Sequence, residues 1–272
     1  MASAEQTSAA DLPACLDGEV MPAAAATISV LDEGFIRGDG AFEVIRVYEG
    51  RPYALGAHFE RLRRSATNLV LALDAEALEA DVERLLAARA GHDGMLRLIV
   101  TRGGRRIALL EPLPAHPDSV TLGIVTYSPT RVLDGVKSLS YGANMLAGRR
   151  AQARGFDEAL LVTPHGRVLE TPTASFFWVR DGELYTPPLD DHILASITRA
   201  DVCALMDAQE RPCPREELDD AEEAFIASTV REVLPVAAIE TRELALPGPV
   251  TLRSAAALRE HIVSSLAAGA AS

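Results

Sequence analysis

Residues 41–72, AFEVIRVYEGRPYALGAHFERLRRSATNLVLA, decide the fold class of this chain. Between 41 and 55, two runs rich in β-branched and aromatic residues surround Glu49-Gly50, and this pattern predicts a β-hairpin. The following residues, 57–72, carry apolar side chains at helical spacing, namely Phe59, Leu62, Ala66, Leu69 and Val70. That spacing predicts an amphipathic helix. A hairpin followed by a helix is typical of a mixed α/β protein.

The alternation of strands and helices continues along the chain, which predicts an α/β (α+β) fold. Further helices are expected at about 75–90, 142–154, from Ser196 onward and at about 251–267. Further strands are expected at 95–102, 119–127, 157–163, 175–179, 183–186 and 223–228. Residues 128–135, SPTRVLDG, hold turn formers without periodicity and predict a domain boundary. The predicted organisation is a flexible tail at 1–14, a small N-terminal domain at 15–127, an interdomain linker at 128–135 and a large C-terminal domain at 136–272.

Composition excludes several classes of protein. The chain of 272 residues has a formal net charge of -13, which argues against a nucleic-acid binder. No window approaches about 18 consecutive apolar residues, and the first residues lack the features of a signal peptide. Three widely spaced cysteines suit a reducing compartment, and the six histidines show no metal-binding spacing. We therefore expect a cytoplasmic protein without a metal, nucleic-acid or membrane partner.

The basic residues are distributed unevenly between the two types. Of the 26 Lys and Arg residues, 25 are arginines and one is a lysine, Lys137. A codon bias explains the many arginines, since arginine replaces lysine in surface ion pairs. Arginine cannot replace lysine where a neutral amine must act, because its pKa is too high. Lys137 is therefore a candidate nucleophile, and burial would favour its neutral form.

Five motifs, taken in order, resemble one known family. They read DEGFIRGDGAFEVIRVYEGRPYALGAHFERLRRSA, VKSLSYGANMLA, GFDEALLVTPHGRVLETPTASFFWV, LYTPPLDDHILASITRADV and EAFIASTVREVLPV. Together they resemble the class IV aminotransferases, the fold-type IV enzymes that use pyridoxal 5'-phosphate (PLP). The resemblance runs from about Leu31 to Val236. It implies an N-terminal α/β sandwich-like domain, a C-terminal pseudo-barrel domain that binds PLP, and a homodimer.

The resemblance also implies the roles of single residues. Lys137 matches the lysine that forms the Schiff base with PLP and then moves a proton on the substrate. Glu170 matches the glutamate that faces the pyridine nitrogen and keeps it protonated. Arg61 matches the arginine of an HxxRL pattern that binds the cofactor phosphate, for which a guanidinium fork is suited. His58, one helical turn earlier, is interpreted as a structural residue.

Two turns resemble the remaining phosphate contacts of the family. Ile197 and Thr198 open a predicted helix, where free N–H groups and the helix dipole favour an anion. Ser228 and Thr229 match the second turn, and Thr229 aligns better than Ser228. Two positions depart from the family pattern. Ser175 stands where asparagine is frequent, and Gly142 stands where branched-chain enzymes place a tyrosine. Whether Tyr141 contacts the phenolic oxygen of PLP is left open.

Substrate recognition is expected to come from arginine. The segment LRLIVTRGGRR offers Arg97, Arg102 and Arg105, together with Arg106, and we expect at least one to bind the α-carboxylate. Phe42 is expected to line the substrate site. On the hairpin strand, Glu43 and Arg46 are weaker candidates for the same pocket.

The expected activity is a ping-pong aminotransferase that moves an amino group from an amino acid to a 2-oxo acid. D-amino acids such as D-alanine and D-glutamate are slightly favoured. An aminodeoxychorismate lyase, which forms 4-aminobenzoate and pyruvate, is the alternative, since it would share Lys137 and Glu170. Branched-chain amino acid or R-amine transamination is also open, as is a PLP-free binding protein with a relict site.

Overall fold

The structure, a computed structural model, describes residues 9–269 and divides into two compact units. Unit 1 extends to Ala115 and includes Val136–Ser140, whereas unit 2 comprises His116–Gly135 and the chain from Tyr141 onward. This division differs from the domain organisation expected from the sequence. The predicted linker at 128–135 belongs to unit 2, and the segment with Lys137 belongs to unit 1.

Unit 1 is an antiparallel sheet with helices. Its elements are β1 (Pro13–Leu16), β2 (Glu19–Pro22), α1 (Glu33–Arg37), β3 (Gly40–Tyr48), β4 (Arg51–Pro52), α2 (Leu55–Asn68), α3 (Ala75–Ala88), β5 (Gly94–Thr101) and β6 (Arg106–Pro112). The six strands pair in the order β2-β1-β6-β5-β3-β4, and every pair is antiparallel. The hairpin and the helix expected at 41–72 correspond to β3, β4 and α2.

The core of unit 1 lies between the sheet and the apolar faces of α2 and α3. Ile45 and Leu98 of the sheet are fully buried, as are Leu62 of α2 and Leu85 of α3. Burial of such side chains is the main driving force for folding. The helical periodicity seen in the sequence is thus the pattern of side chains that face this core.

Of the flexible tail expected at 1–14, the structure describes residues 9–14. Residues 1–8 lie outside the described residues. Ala14 and Cys15 are buried in β1, which pairs with β2 and with β6. This part of the chain belongs to the sheet because its small apolar side chains fill space beside α3.

Unit 2 contains a larger mixed sheet. Its elements are β7 (Val120–Thr126), α4 (Gly142–Gln152), β8 (Glu158–Val162), β9 (Arg167–Val168), β10 (Ser175–Arg180), β11 (Glu183–Thr186), α5 (Ile197–Met206), β12 (Gln209–Glu210), β13 (Cys213–Pro214), β14 (Glu223–Ser228), β15 (Glu232–Ile239), β16 (Arg242–Glu243) and α6 (Pro249–Gly269). The strand order is β12-β11-β10-β14-β15-β7-β8-β9-β13, with β16 paired to β15.

Adjacent residues of β10 serve two sides of this sheet. Phe176 and Trp178 belong to one apolar cluster of unit 2. Phe177, between them in sequence, stacks instead on Phe225 of β14, with ring centroids 4.8 Å apart. The continuous apolar run of β10 therefore reflects a strand that is buried on both faces.

Among residues 9–269, no helix is both long and apolar enough to cross a membrane. The same residues contain no group of three or more His, Cys, Asp or Glu side chains arranged to hold a metal ion. All three cysteines are free thiols.

Candidate active site

Lys137 is held in unit 1 by hydrogen bonds of its own backbone. Its carbonyl accepts the N–H of Phe42 at 3.0 Å, and its N–H donates to Ser65 Oγ at 3.1 Å. Ser138 adds a β-bridge to Ala41. The Lys137 Nζ lies 4.5 Å from the centroid of the Phe42 ring, within the range of a cation–π contact. The structure thus brings together two residues singled out in the sequence, Lys137 and Phe42.

Arg61 lies in the same unit and is held by Glu43. Its Nε and Nη2 donate to the two carboxylate oxygens of Glu43, each at 2.7 Å. His58 Nδ1 lies 2.8 Å from Glu43 Oε2. All three side chains are buried, and we call them the Glu43 cluster. From the sequence alone, Glu43 is a weaker candidate for the substrate pocket and His58 a structural residue.

The electrostatics of the Glu43 cluster favour an ionised glutamate and a neutral histidine. Burial raises the pKa of Glu43, but the hydrogen bonds from Arg61 and His58 and the charge of Arg61 outweigh it and lower that pKa to about 2. Burial is the main cause that lowers the pKa of His58 below 6.5, and the positive charges of Arg61 and Lys137 act in the same direction. The cluster therefore contains one anion and one cation.

The arginines expected to bind substrate each have a carboxylate partner within unit 1. Arg97 on β5 donates to Glu111 at 2.9 Å, Arg102 to Asp39 at 2.9 Å, and Arg105 forms an ion pair with Asp17. Arg106 pairs with Asp81 at 3.0 Å.

These ion pairs account for the density of arginines that suggested a substrate site. Arg97 lies on β5, within the strand expected at 95–102, and Arg106 opens β6, for which no strand was expected. The assignment of Arg97, Arg102 and Arg105 to the substrate stays a prediction.

Glu170 lies in unit 2, near two phenols. Its Oε1 accepts the N–H of Leu194 at 3.1 Å, two residues before the cap of α5. Burial first, and the negative charge of Glu170 second, raise the pKa of Tyr127 and of Tyr141. Tyr141 donates its hydroxyl to the Pro172 carbonyl. A cofactor contact of Tyr141 would therefore have to replace or share that bond.

The two turns assigned to phosphate binding also lie in unit 2. The side chain of Ser196 caps α5 by accepting the N–H of Arg199 at 3.2 Å. Ile197 and Thr198 occupy the first two helical positions, where an N–H has no acceptor inside the helix. Ser228 ends β14 at the turn into β15, and Thr229 follows it. α5 packs against β14, so both turns belong to one packed region of unit 2.

Ser175 supplies an unexplained polar atom in this region. It opens β10 opposite Ala227, the residue before Ser228. The side chain is 1% exposed, and its Oγ has no hydrogen-bond partner among the described residues. A buried hydroxyl without a partner is costly, so this atom is suited to a hydrogen bond with a bound group.

A further polar network in unit 2 was missed in the sequence. Arg231 pairs with Glu158, and its Nη2 donates to Thr173 Oγ1 at 2.8 Å. The Arg231 backbone N–H donates to Ser228 Oγ at 3.3 Å. This network connects the turn at Ser228 to β8. The sequence carries no local signal for it, because its members lie far apart along the chain.

Comparisons with known proteins agree with this arrangement. The family model described as "Amino-transferase class IV" matches residues 40–239. A protein of Methanocaldococcus jannaschii named as a branched-chain-amino-acid aminotransferase is 34% identical over 84% of this chain and 88% of its own length. The D-alanine aminotransferase of Bacillus licheniformis is 30% identical over 92% of this chain and 97% of its own.

A solved structure shows the same fold. The PLP-bound form of a hypothetical aminotransferase from Mycobacterium tuberculosis is 26% identical, covers 93% of this chain and 99% of its own, and gives a TM-score of 0.84. The chain belongs to the class IV aminotransferase family and is a fold-type IV, PLP-dependent enzyme. These relatives give the aminodeoxychorismate lyase alternative no support.

The residues present fit PLP. A phosphate dianion suits the first N–H groups of α5, and Arg61 offers a guanidinium in unit 1. Glu170 offers a carboxylate for a protonated ring nitrogen, and Ser175 offers the buried hydroxyl described above. Lys137 provides the single side-chain amine of the sequence.

Proposed function

We propose that this enzyme transfers the amino group of an amino acid to a 2-oxo acid in two half-reactions, with D-amino acids such as D-alanine and D-glutamate as preferred donors. The placement of Lys137 carries the proposal. The sole lysine of the chain is fixed at its backbone by Ser65 and Phe42, and its amine lies over the Phe42 ring. An amine that must transfer protons needs such a defined position.

The family resemblance assigns the residues that would hold the cofactor. Arg61, the N–H groups of Ile197 and Thr198, and the Ser228–Thr229 turn would bind its phosphate. The Glu170 carboxylate would accept a hydrogen bond from the ring nitrogen. When bound, PLP supplies an electron-withdrawing ring that stabilises negative charge at the substrate Cα.

Lys137 would act as the acid and base of both half-reactions. Its Nζ would accept a proton from the substrate Cα and return it to the cofactor side, as a positioned amine does in general catalysis. Phe42 would restrict the side chain through its ring face. Arginine in place of Lys137 would stay protonated and could not accept that proton.

Relatives support the donor preference. One of them is named as a D-alanine aminotransferase. The Mycobacterium tuberculosis protein, also solved with α-ketoglutarate and the pyridoxamine form of the cofactor, supports only a 2-oxo acid as acceptor. A panel of D- and L-amino acids, each added alone to the holoenzyme, tests the proposal. We expect D-alanine and D-glutamate to convert the cofactor to its pyridoxamine form fastest. Faster conversion by any L-amino acid would contradict the preference.

Branched-chain L-amino acids are the second candidate donors. The Methanocaldococcus jannaschii relative bears that name and is 34% identical to this chain. The same panel distinguishes the two, because L-leucine or L-valine would then react faster than both D-amino acids.

Arg102 is the first substrate arginine to test. Its ion pair with Asp39 is exposed, and such pairs contribute only about 0–1 kcal/mol, so a substrate carboxylate could replace Asp39.

A homodimer in the cytoplasm completes the proposal. Unit 1 exposes large apolar side chains in and just before α1: Ile28, Val30, Leu31, Phe35 and Ile36. Exposed apolar patches of this kind mark protein–protein contacts, and a second copy of the chain is the partner that the family resemblance implies. The three free cysteines support a reducing compartment.

A further inference from the structure

Glu43 is a charged residue within an apolar strand face. Along β3, Ala41, Glu43, Ile45 and Val47 alternate onto the same side of the sheet, and all four are buried. The three apolar members belong to the core beneath α2. Burying a carboxylate there is costly unless charged and hydrogen-bonding partners compensate for it. The residue at this position therefore serves a purpose other than hydrophobic packing.

Arg61 supplies the compensation through a two-point contact. Its Nε and Nη2 each donate to a different oxygen of Glu43 at 2.7 Å. This side-on geometry fixes the plane of the guanidinium as well as its distance from β3. A phosphate would be bound through the opposite edge, whose direction is then set by Glu43.

His58 forms the other contact of the carboxylate, and its tautomer follows from the charges. An ionised Glu43 only accepts, so His58 Nδ1 donates the hydrogen bond of 2.8 Å. In a neutral ring, Nε2 is then an acceptor. Nε2 is buried without a hydrogen-bond partner among the described residues. If the cluster served stability alone, we would expect Nε2 to accept a hydrogen bond from the protein.

The Glu43 cluster adjoins the catalytic lysine of the proposed function. His58, Arg61 and Ser65 follow one another at spacings of three and four residues, so they share one face of α2. Ser65 accepts the backbone N–H of Lys137 at 3.1 Å. The charges of both Arg61 and Lys137 act on His58. The helix face that packs on Glu43 is therefore the one that leads to Lys137.

We propose that Glu43 is a positioning residue, whose carboxylate orients the Arg61 guanidinium toward the cofactor phosphate. This inference rests on the proposed phosphate role of Arg61. It differs from a role as a simple counter-ion. A counter-ion cancels part of the charge of Arg61, so its removal would strengthen phosphate binding. An orienting carboxylate gives the opposite result, because the guanidinium loses its fixed plane.

The experiment measures how strongly the apoenzyme discriminates PLP from pyridoxal, which lacks the phosphate. Both affinities are obtained by absorbance titration, and their ratio isolates the phosphate contribution. Glu43→Asp keeps the charge but withdraws the carboxylate by one methylene, and we expect the ratio to fall about tenfold. Glu43→Gln should lower it at least as much. Asp81→Asn is the matched control, since Asp81 is a buried partner of Arg106 in the same unit.

Each outcome decides the question. An unchanged ratio in Glu43→Asp, or a raised ratio in Glu43→Gln, would overturn the positioning role and leave a counter-ion. A fall of equal size in Asp81→Asn would assign the effect to general destabilisation. Arg61→Lys separates this inference from the proposed function. If the ratio falls in Arg61→Lys but not in the Glu43 variants, only the role of Glu43 is refuted. If the ratio falls in neither Arg61→Lys nor the Glu43 variants, the phosphate role of Arg61 is refuted as well.

Discussion

Lys137 is the residue whose chemistry no other side chain of this protein can take over. In Lys137→Arg the cation is retained, but a guanidinium does not lose its proton near neutral pH. We expect the rate of transamination to fall by at least about 10²–10⁴-fold, as for loss of a general acid–base group. The measurement is turnover with the best donor of the substrate panel.

A chemical control accompanies that measurement. Borohydride reduction of the wild-type holoenzyme should attach the cofactor to one peptide, the one containing Lys137, because the sequence has no other lysine. The Lys137→Arg variant should give no side-chain adduct. An adduct elsewhere, or full activity in the variant, would contradict the assignment.

His58 should make the stability of the protein depend on pH. The pKa of His58 is lower than 6.5 in the folded state. Just below pH 6.5, the unfolded chain therefore binds a proton at His58 that the folded protein does not bind. The stabilisation is complete above pH 6.5 and is lost as the pH falls from 6.5 toward the lower pKa of the folded state. We expect His58→Gln to reduce the pH dependence of the unfolding free energy by up to about 1.4 kcal/mol per pH unit in that window.

Urea titrations between pH 7 and pH 5 measure this slope. His116→Gln is the matched control, because His116 is exposed in the same chain. It should keep the slope of the wild type. If His58→Gln and the wild type lose stability in parallel, another group causes the acid sensitivity.

The sequence identified some of these residues and missed others for a physical reason. Lys137 stands out by composition, and Arg61 by its motif. Glu43 interrupts an apolar alternation, which is a local signal, but its partner lies 18 positions away on another element. Ser65 has no special signal in the sequence, because its role is to accept the backbone N–H of Lys137, which lies 72 positions later in the chain. Contacts between distant positions produce no local periodicity in the sequence.

At the scale of elements, helices were easier to predict than short strands. The apolar spacing of α2 and α3 is visible because it repeats over several turns. The first two residues of β1, Pro13 and Ala14, fall in the tail expected at 1–14, and the expected strands do not include β6. β1 has only four residues and begins at a proline, and β6 follows the glycine pair Gly103-Gly104, which is typical of a turn. Their strand structure comes from pairing with each other and with β5.

Two glycines of unit 2, one just before α6 and one inside α4, should change the stability in opposite directions when each is replaced by alanine. A Cβ at Gly248 would lie 1.9 Å from Cδ of Glu223. That carboxylate is buried and accepts the N–H groups of Val250 and Thr251 at 3.0 and 2.8 Å, so it cannot move without losing the bonds that start α6. We expect Gly248→Ala to lower the unfolding free energy by about 1–3 kcal/mol.

Gly148 is the matched comparison inside α4. A Cβ there would meet no atom within 4 Å. Gly148→Ala should raise the unfolding free energy by about 0.5–1 kcal/mol, because alanine restricts the unfolded chain and favours the helix. Denaturant unfolding of both variants checks the signs. Stabilisation by Gly248→Ala would show that Glu223 moves easily.

At the scale of the whole molecule, the exposed side chains around α1 predict the oligomeric state. Phe35 is 66% exposed and Leu31 is 77% exposed, which is unusual for large apolar residues this close together. Sedimentation should give about twice the chain mass of 29.0 kDa. Phe35→Glu should shift the protein toward the monomer, since a charge at an apolar contact is costly.

Val263→Glu is the control for that experiment. Val263 is also exposed, at 59%, but it lies on α6, away in sequence from α1. This variant should sediment like the wild type. A monomeric wild type, or equal dissociation by both variants, would remove the assignment of the contact to residues 28–36.

The placement of Val136–Ser140 in unit 1 has a consequence for how the protein is made. The ribosome delivers Ala115, then the twenty residues of His116–Gly135 that belong to unit 2, and only then this short segment. Until Ser140 has emerged, the edge of β3 lacks the bridge at Ser138, and Ser65 lacks the N–H of Lys137. Unit 1 can therefore be completed only after the first segment of unit 2 has been synthesised, and a fragment ending at Ala115 would lack the reactive amine.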